Sequence, residues 1–146
     1  MQWLIDIIKE WIVAEGYALE SWVLAKGYLT HSFVDRGDPV GPDWQLVSFT
    51  VDGTWRDLDL SSIVPAGAKA VLFNLGMISG SMSSFFELRK KTNANNIVRT
   101  FSNVQVASVV QGYDLVTACS DARIVQYKAT SPGFLALELV VKGWWL

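Results

Sequence analysis

A chain of 146 residues has room for one ordinary domain and an appendage, and not for two full-sized cores. Its residues are 51 % hydrophobic with seven Trp, high for a soluble monomer and in keeping with surface hidden in an oligomer. A net charge of −2 without a basic block argues against a partner read through phosphates, so no nucleic acid is expected.

The first fifteen residues read as an amphipathic helix. Trp3, Ile7, Trp11 and Ala14 fall on one helical face with Leu4 and Ile8 beside them, while Asp6, Lys9 and Glu10 group elsewhere. Asp6, Lys9, Glu10 and Glu15 interrupt the apolar run, so it falls short of the roughly 18 uncharged residues of a membrane span. It has no basic n-region and no small-residue cleavage site, so it does not read as a signal peptide. Docking on a membrane surface has little support, because the polar face is not enriched in Lys or Arg.

From Glu10 the sequence repeats itself. Glu10-Trp11-Ile12-Val13-Ala14-Glu15-Gly16-Tyr17-Ala18-Leu19 is followed in register by Ser21-Trp22-Val23-Leu24-Ala25-Lys26-Gly27-Tyr28-Leu29-Thr30, and a decayed copy begins at Ser32-Phe33-Val34-Asp35. Trp11, Trp22 and Phe33 are thus eleven residues apart. On a helix that period closes about three turns plus roughly 20°, which gives one aromatic seam and a gently right-handed supercoil. Gly16 and Gly27 would each cost about 1 kcal/mol inside a continuous helix. Either one helix runs through both, or each glycine ends a short helix as a left-handed cap, the reading preferred from Gly27 onward. In both cases such a segment cannot bury its Trp, Ile, Leu and Tyr against itself, and a second copy of the chain is the simplest partner. Trp3, Ile7, Trp11, Trp22 and Phe33 are the expected oligomerisation residues, and residues 1–36 the anchoring and assembling stem.

Gly37-Asp38-Pro39-Val40-Gly41-Pro42-Asp43 cannot continue a helix and reads as the linker, residues 37–43. Residues 44–146 read as all β. Gln45 to Val51 alternates up to Asp52-Gly53, a hairpin signal, before Thr54 to Leu60. Lys69 to Met77 is apolar at nearly every position, as expected for a strand covered on both faces. Further strands are expected around Phe85 to Arg89, Ile97 to Phe101, Val104 to Val110, Asp114 to Ala118, Arg123 to Ala129 and Phe134 to Val141. Eight to nine short strands in about 100 residues, with no helical period among them, argue for an antiparallel sandwich of jelly-roll or related topology.

Two stretches carry a resemblance. The repeat Ser21 to Thr30 resembles the stalk repeats of bacteriophage fibres. Trp55-Arg56-Asp57-Leu58-Asp59-Leu60-Ser61-Ser62-Ile63-Val64-Pro65-Ala66-Gly67-Ala68, Phe86-Glu87-Leu88-Arg89-Lys90-Lys91 and Val141-Lys142-Gly143-Trp144-Trp145 resemble a β-sandwich head at the ends of phage virion proteins. The resemblance implies a structural protein on the surface of the phage particle, a head fibre, decoration protein or short tail fibre. It implies a homotrimer, with residues 1–15 docking on a capsid or tail protein. The alternative is a head that binds a receptor or surface glycan during host adsorption.

Catalytic chemistry has little to stand on, so no enzyme and no cofactor are expected. His31, the single histidine, lies in the repeat region without a Ser-His-Asp or Cys-His signature. Cys119 is also single, which excludes an intrachain disulfide and a Cys-based zinc site from one chain, and it reads as a small buried apolar residue. Asp57 and Asp59 share one strand face but do not by themselves make the cleft that glycoside hydrolysis needs. There is no Asp-x-Asp-x-Asp-Gly calcium loop. Arg89-Lys90-Lys91, beside an Asn-rich loop, is the densest positive cluster and a candidate for contact with an acidic surface polymer. Trp144 and Trp145 face opposite ways on a strand, one into the core and one toward an edge or subunit interface. Trp55, Arg89, Tyr113 and Trp145 are therefore the candidate ligand contacts, three of them aromatic platforms of the kind that cover the C–H side of a pyranose.

Overall fold

The computed structural model describes residues 32–130 and 133–146. Trp3, Ile7, Trp11, Trp22 and His31, with the rest of residues 1–31, on which the expected helical stem falls, lie outside the described residues. The chain divides into two compact units, Met1–Ser32 and Phe33–Leu146. The second unit is mainly β, and no α-helix occurs among the described residues. Its strands are β1 (Phe33–Asp35), β2 (Trp44–Gln45), β3 (Arg56–Asp59), β4 (Ala70–Ser79), β5 (Phe85–Lys90), β6 (Thr100–Asn103), β7 (Gln111–Ala118), β8 (Ile124–Thr130) and β9 (Phe134–Trp145).

They form two antiparallel sheets. The first runs β1-β9-β4-β7, with β2 also pairing to β9, and the second runs β3-β8-β5-β6. Strand alternation explains why they share one core. Val71, Phe73, Leu75 and Met77 of β4 and Leu137, Leu139 and Val141 of β9 point inward from the first sheet. Phe86 and Leu88 of β5 and Val125 and Tyr127 of β8 meet them from the second. Each fully buried Leu, Val or Phe contributes about 1.5–3 kcal/mol of transfer free energy. The arrangement is consistent with a β-sandwich.

Several expectations change. The Pro/Gly stretch is a loop strapped to the sheet, inside the compact unit, and does not separate two units. Asp43 accepts a hydrogen bond from Arg36 Nη1 at 2.5 Å and another from the Val141 amide at 2.8 Å. The Arg36 amide in turn donates to the Lys142 carbonyl at 3.0 Å. Phe33–Asp35, assigned by the repeat to the stem, pair as β1 with Gly143, Trp144 and Trp145 of β9. Asp52-Gly53 does not close a hairpin, because β2 and β3 belong to different sheets. The segment between them crosses from one sheet to the other, with a single turn of 3-10 helix at Leu46–Ser48 where a strand was expected. Phe49 anchors the crossing between the rings of Phe86 (5.3 Å) and Tyr127 (5.0 Å), and the Thr50 amide donates to Tyr127 Oη at 3.0 Å.

Val104 to Val110, apolar enough to suggest a strand, is a loop in which only Val104 is buried. Its Val106, Val109 and Val110 are exposed. β4 is likewise buried on one face only: Asn74 is exposed on the other, and Leu72, Gly76 and Ile78 are partly covered. At the end of β9 Trp144 packs against the core, while Trp145, paired with Phe33 on one side and Ala70 on the other, lies not at a sheet edge but against the Phe33 ring, centroids 4.9 Å apart.

Candidate functional site

The outer face of the second sheet carries the densest arrangement of charge and aromatic rings among the described residues. Phe86 and Leu88 point into the core, so Phe85, Glu87 and Arg89 of β5 stand on the opposite side. Register places their neighbours. Glu87 lies across from Lys128 of β8 and from Phe101 of β6, and Gln126 of β8 lies between Arg89 and Asp57.

Glu87 is 1 % exposed although it faces away from the core. Its carboxylate is held by Lys128 Nζ at 2.5 Å and by Arg99 Nε. Burial of a carboxylate is costly unless it is paired, and two cations meet that condition here. Aromatic rings complete the cover. Lys128 Nζ lies 5.2 Å from the Trp55 ring centroid and 5.7 Å from that of Phe85, and the Arg99 guanidinium lies 5.7 Å from the Phe101 ring. The Arg89 guanidinium stacks on Trp55 at 4.1 Å. Such contacts are worth about 0.5–1 kcal/mol when exposed and more when desolvated.

A hydrogen-bonded row continues the platform. Arg89 Nε donates to Gln126 Oε1 (2.9 Å), Gln126 Nε2 to Asp57 Oδ1 (3.1 Å), and Lys91 Nζ to Asp57 Oδ2 (2.6 Å). The hydrogen bond from Lys91, and then that from Gln126, hold the Asp57 carboxyl below its ordinary pKa. Asp59 is spent locally, accepting the Ser61 amide at 2.8 Å, which lowers its pKa too. Neither aspartate faces a cleft with the other as a free acid-base pair.

Trp55 and Arg89, two of the four candidate contacts, are thus brought together. Tyr113 and Trp145 are not with them, because β7 and β9 belong to the first sheet. Tyr113 packs against the core and donates its hydroxyl to the Asn103 carbonyl at 2.6 Å, so it offers no free platform. Trp145 spends one contact on Phe33. Sequence reasoning missed Glu87, Arg99, Phe101 and Lys128. Period-two alternation places Phe85, Glu87 and Arg89 on one face and Gln126 and Lys128 on another, but only strand pairing shows that the two faces are one.

No three His, Cys, Asp or Glu side chains gather into a metal-binding group among the described residues. Nor is any helix among them long and apolar enough to cross a membrane. Cys119 is buried, its thiol donating to the Ala68 carbonyl at 3.0 Å, and burial raises its pKa. No protein-family model matches the chain, and no curated protein matches it in sequence.

Proposed function

We propose that the chain is a non-enzymatic structural protein of a bacteriophage particle, a homotrimeric fibre or decoration protein that displays its β domain on the virion surface. The observation that carries this reading is the strand order. Sheets ordered β2-β9-β4-β7 and β3-β8-β5-β6 support a jelly-roll topology, the double Greek key that recurs in viral coat and lectin domains. Exposed Val106, Val109 and Val110 on the loop between β6 and β7 favour a domain that meets another surface. In this reading the eleven-residue repeat forms the helical trimerisation stem, and residues 1–15 dock on a capsid or tail protein. The native mass of the full chain, measured beside residues 33–146, is the test. A trimer that falls to a monomer on truncation supports the stem as the assembling element, whereas monomers in both overturn the fibre reading.

A second reading, a head that binds host surface glycan, is favoured by one observation: Trp55 and Arg89 stack together on an outer sheet face that carries more cations than carboxylates.

A further inference from the structure

We infer that the outer face of the second sheet binds an acidic sugar residue at Arg99 and Phe101, the sugar carboxylate on Arg99 and the C–H face of the pyranose on the Phe101 ring. The inference rests on the glycan reading above and is independent of trimer formation and of the place on the virion.

Charge is the first argument. Arg89, Arg99 and Lys128 stand against one carboxylate, Glu87, while the neighbouring Lys91 and Asp57 neutralise each other. With Asp59, which shares its strand face with Asp57, counted as well, the face keeps one surplus positive charge on a chain whose net charge is −2, so an anion is drawn to it. The surplus is too small and too compact for a nucleic-acid backbone, which needs a track of cations.

The second argument is the donor geometry of Arg99. Its Nε is committed to Glu87 and one Nη1 hydrogen to the Asn96 carbonyl at 3.0 Å, so these two contacts use only two of the five N–H donors of the guanidinium. The side chain is 33 % exposed. Buried Glu87 therefore fixes the guanidinium from below and leaves a donor for a carboxylate from outside. The planar guanidinium suits a carboxylate better than a point charge would.

Third, an exposed ring adjoins this donor. Phe101 is 50 % exposed on the edge strand β6 and, with Asn96, Ile97 and Arg99, lines one shallow hollow. Ring face, cation and side-chain amide within one hollow match the three surfaces of a uronic acid: its C–H face, its carboxylate and its hydroxyls.

The test is calorimetric titration of the full chain with a uronic-acid tetrasaccharide, its carboxyl-reduced neutral counterpart and sodium acetate. The acidic tetrasaccharide is expected to bind at least about ten-fold more tightly than either control, since the neutral counterpart loses the charge-assisted hydrogen bond and acetate loses the ring contact. Arg99→Gln and Phe101→Ala are each expected to weaken it by about ten-fold or more. Because Arg99→Gln also removes a partner of buried Glu87, the double variant Glu87→Gln/Arg99→Gln, which keeps the shape and removes both charges, is titrated beside it with melting curves for all variants. Folded variants that bind as the wild type does would overturn this site while leaving the glycan reading standing. Absence of binding to either tetrasaccharide would overturn both. Acetate competing as well as the acidic tetrasaccharide binds would reduce the site to a simple anion contact and overturn the sugar assignment.

Discussion

The Glu87 carboxylate lies 2.5 Å from the Lys128 ammonium, buried on the sheet face that points away from the core. This face is thus organised around a charge that water cannot reach. The consequence is an asymmetry between partners. Glu87→Gln leaves two cations that can still turn to solvent, and is expected to cost about 1–2 kcal/mol. Removing both cations while keeping their cover, with Arg99→Met/Lys128→Met, strands the buried carboxylate and is expected to cost about 3–5 kcal/mol. Urea denaturation of the two variants decides the order, and a reversed order would show that Glu87 does not organise the face.

Gly143 marks a second tight relationship. A Cβ built there would stand 2.8 Å from Phe33 Cε2 and closer still to the Val34 carbonyl oxygen, in β1, which pairs beside β9 with Asp35 opposite Gly143. The ring can turn aside, but the backbone oxygen can move only if β1 moves. Gly143→Ala is therefore expected to peel β1 from the sheet and to lower stability by about 1–3 kcal/mol, as overpacking does. Adding Phe33→Ala is not expected to rescue it. Rescue, read from thermal melting of the double variant, would locate the clash in the ring alone.

How much of this was legible depends on whether the deciding contact was local. β4 was legible as a strand from its run of apolar residues, but that run suggested cover on both faces, and only the second sheet shows that Val71, Phe73, Leu75 and Met77 face the core while Asn74 on the other face is exposed. Pro65-Ala66-Gly67 is likewise a local turn signal, and Gly67 takes the left-handed φ of +93° that glycine allows. Phe33 was read with the repeat because its nearest sequence neighbours are the repeat, yet its sheet partner Trp145 lies more than a hundred residues away. Val104 to Val110 carried strand propensity without a strand to pair with, and exposure overrode propensity. Trp55 and Arg89 were singled out separately, and neither spacing nor composition placed one over the other. Glu87 looked like an ordinary polar residue of an alternating strand; its burial comes from Arg99 and Lys128, supplied by other parts of the chain.

Acid is expected to weaken the domain through its paired aspartates. The hydrogen bonds from Lys91 and Gln126 lower the pKa of Asp57, those from Asn74 and Lys142 that of Asp114, and that from Arg56 that of Asp52, each from an ordinary value of 3.8. A folded pKa below the unfolded one means that the unfolded chain binds more protons between the two values. The contribution is thus fully present above the ordinary value and is lost as pH falls through the lowered ones. The urea midpoint should be level above about pH 5 and fall below about pH 4, and Asp57→Asn should shallow the fall. All three groups are exposed, so about 1 M salt should shrink the effect further. An unchanged slope in Asp57→Asn would remove Asp57 from this account.

Cys119 is expected to be inert in the native domain. Burial disfavours the thiolate, which is the reactive form, and the thiol is already committed to the Ala68 carbonyl. Labelling by a soluble maleimide should be at least about a hundred-fold slower than in denaturing urea, because reaction then waits on an opening of the domain. Equal rates would mean that the loop after β7 opens freely.

Trp22 and Phe33 occupy equivalent places in the eleven-residue repeat, and the proposed assembly separates them. Phe33 is spoken for by its own chain: it lies in β1 with its ring against Trp145 at 4.9 Å. Phe33→Ala should therefore lower the melting temperature of the full chain and of residues 33–146 alike, by the equivalent of about 1 kcal/mol. It should leave the native mass of the full chain unchanged. Trp22→Ala should do the reverse. If the stem seam holds the trimer, its loss should weaken assembly by more than about 2 kcal/mol per chain, as removal of an interface Trp does. The signature is a trimer that dissociates on dilution while the β domain melts at its usual temperature. A trimer indifferent to Trp22→Ala would remove the stem from the assembly and leave the β domain itself, with its exposed Val106, Val109 and Val110, as the surface that holds the copies together.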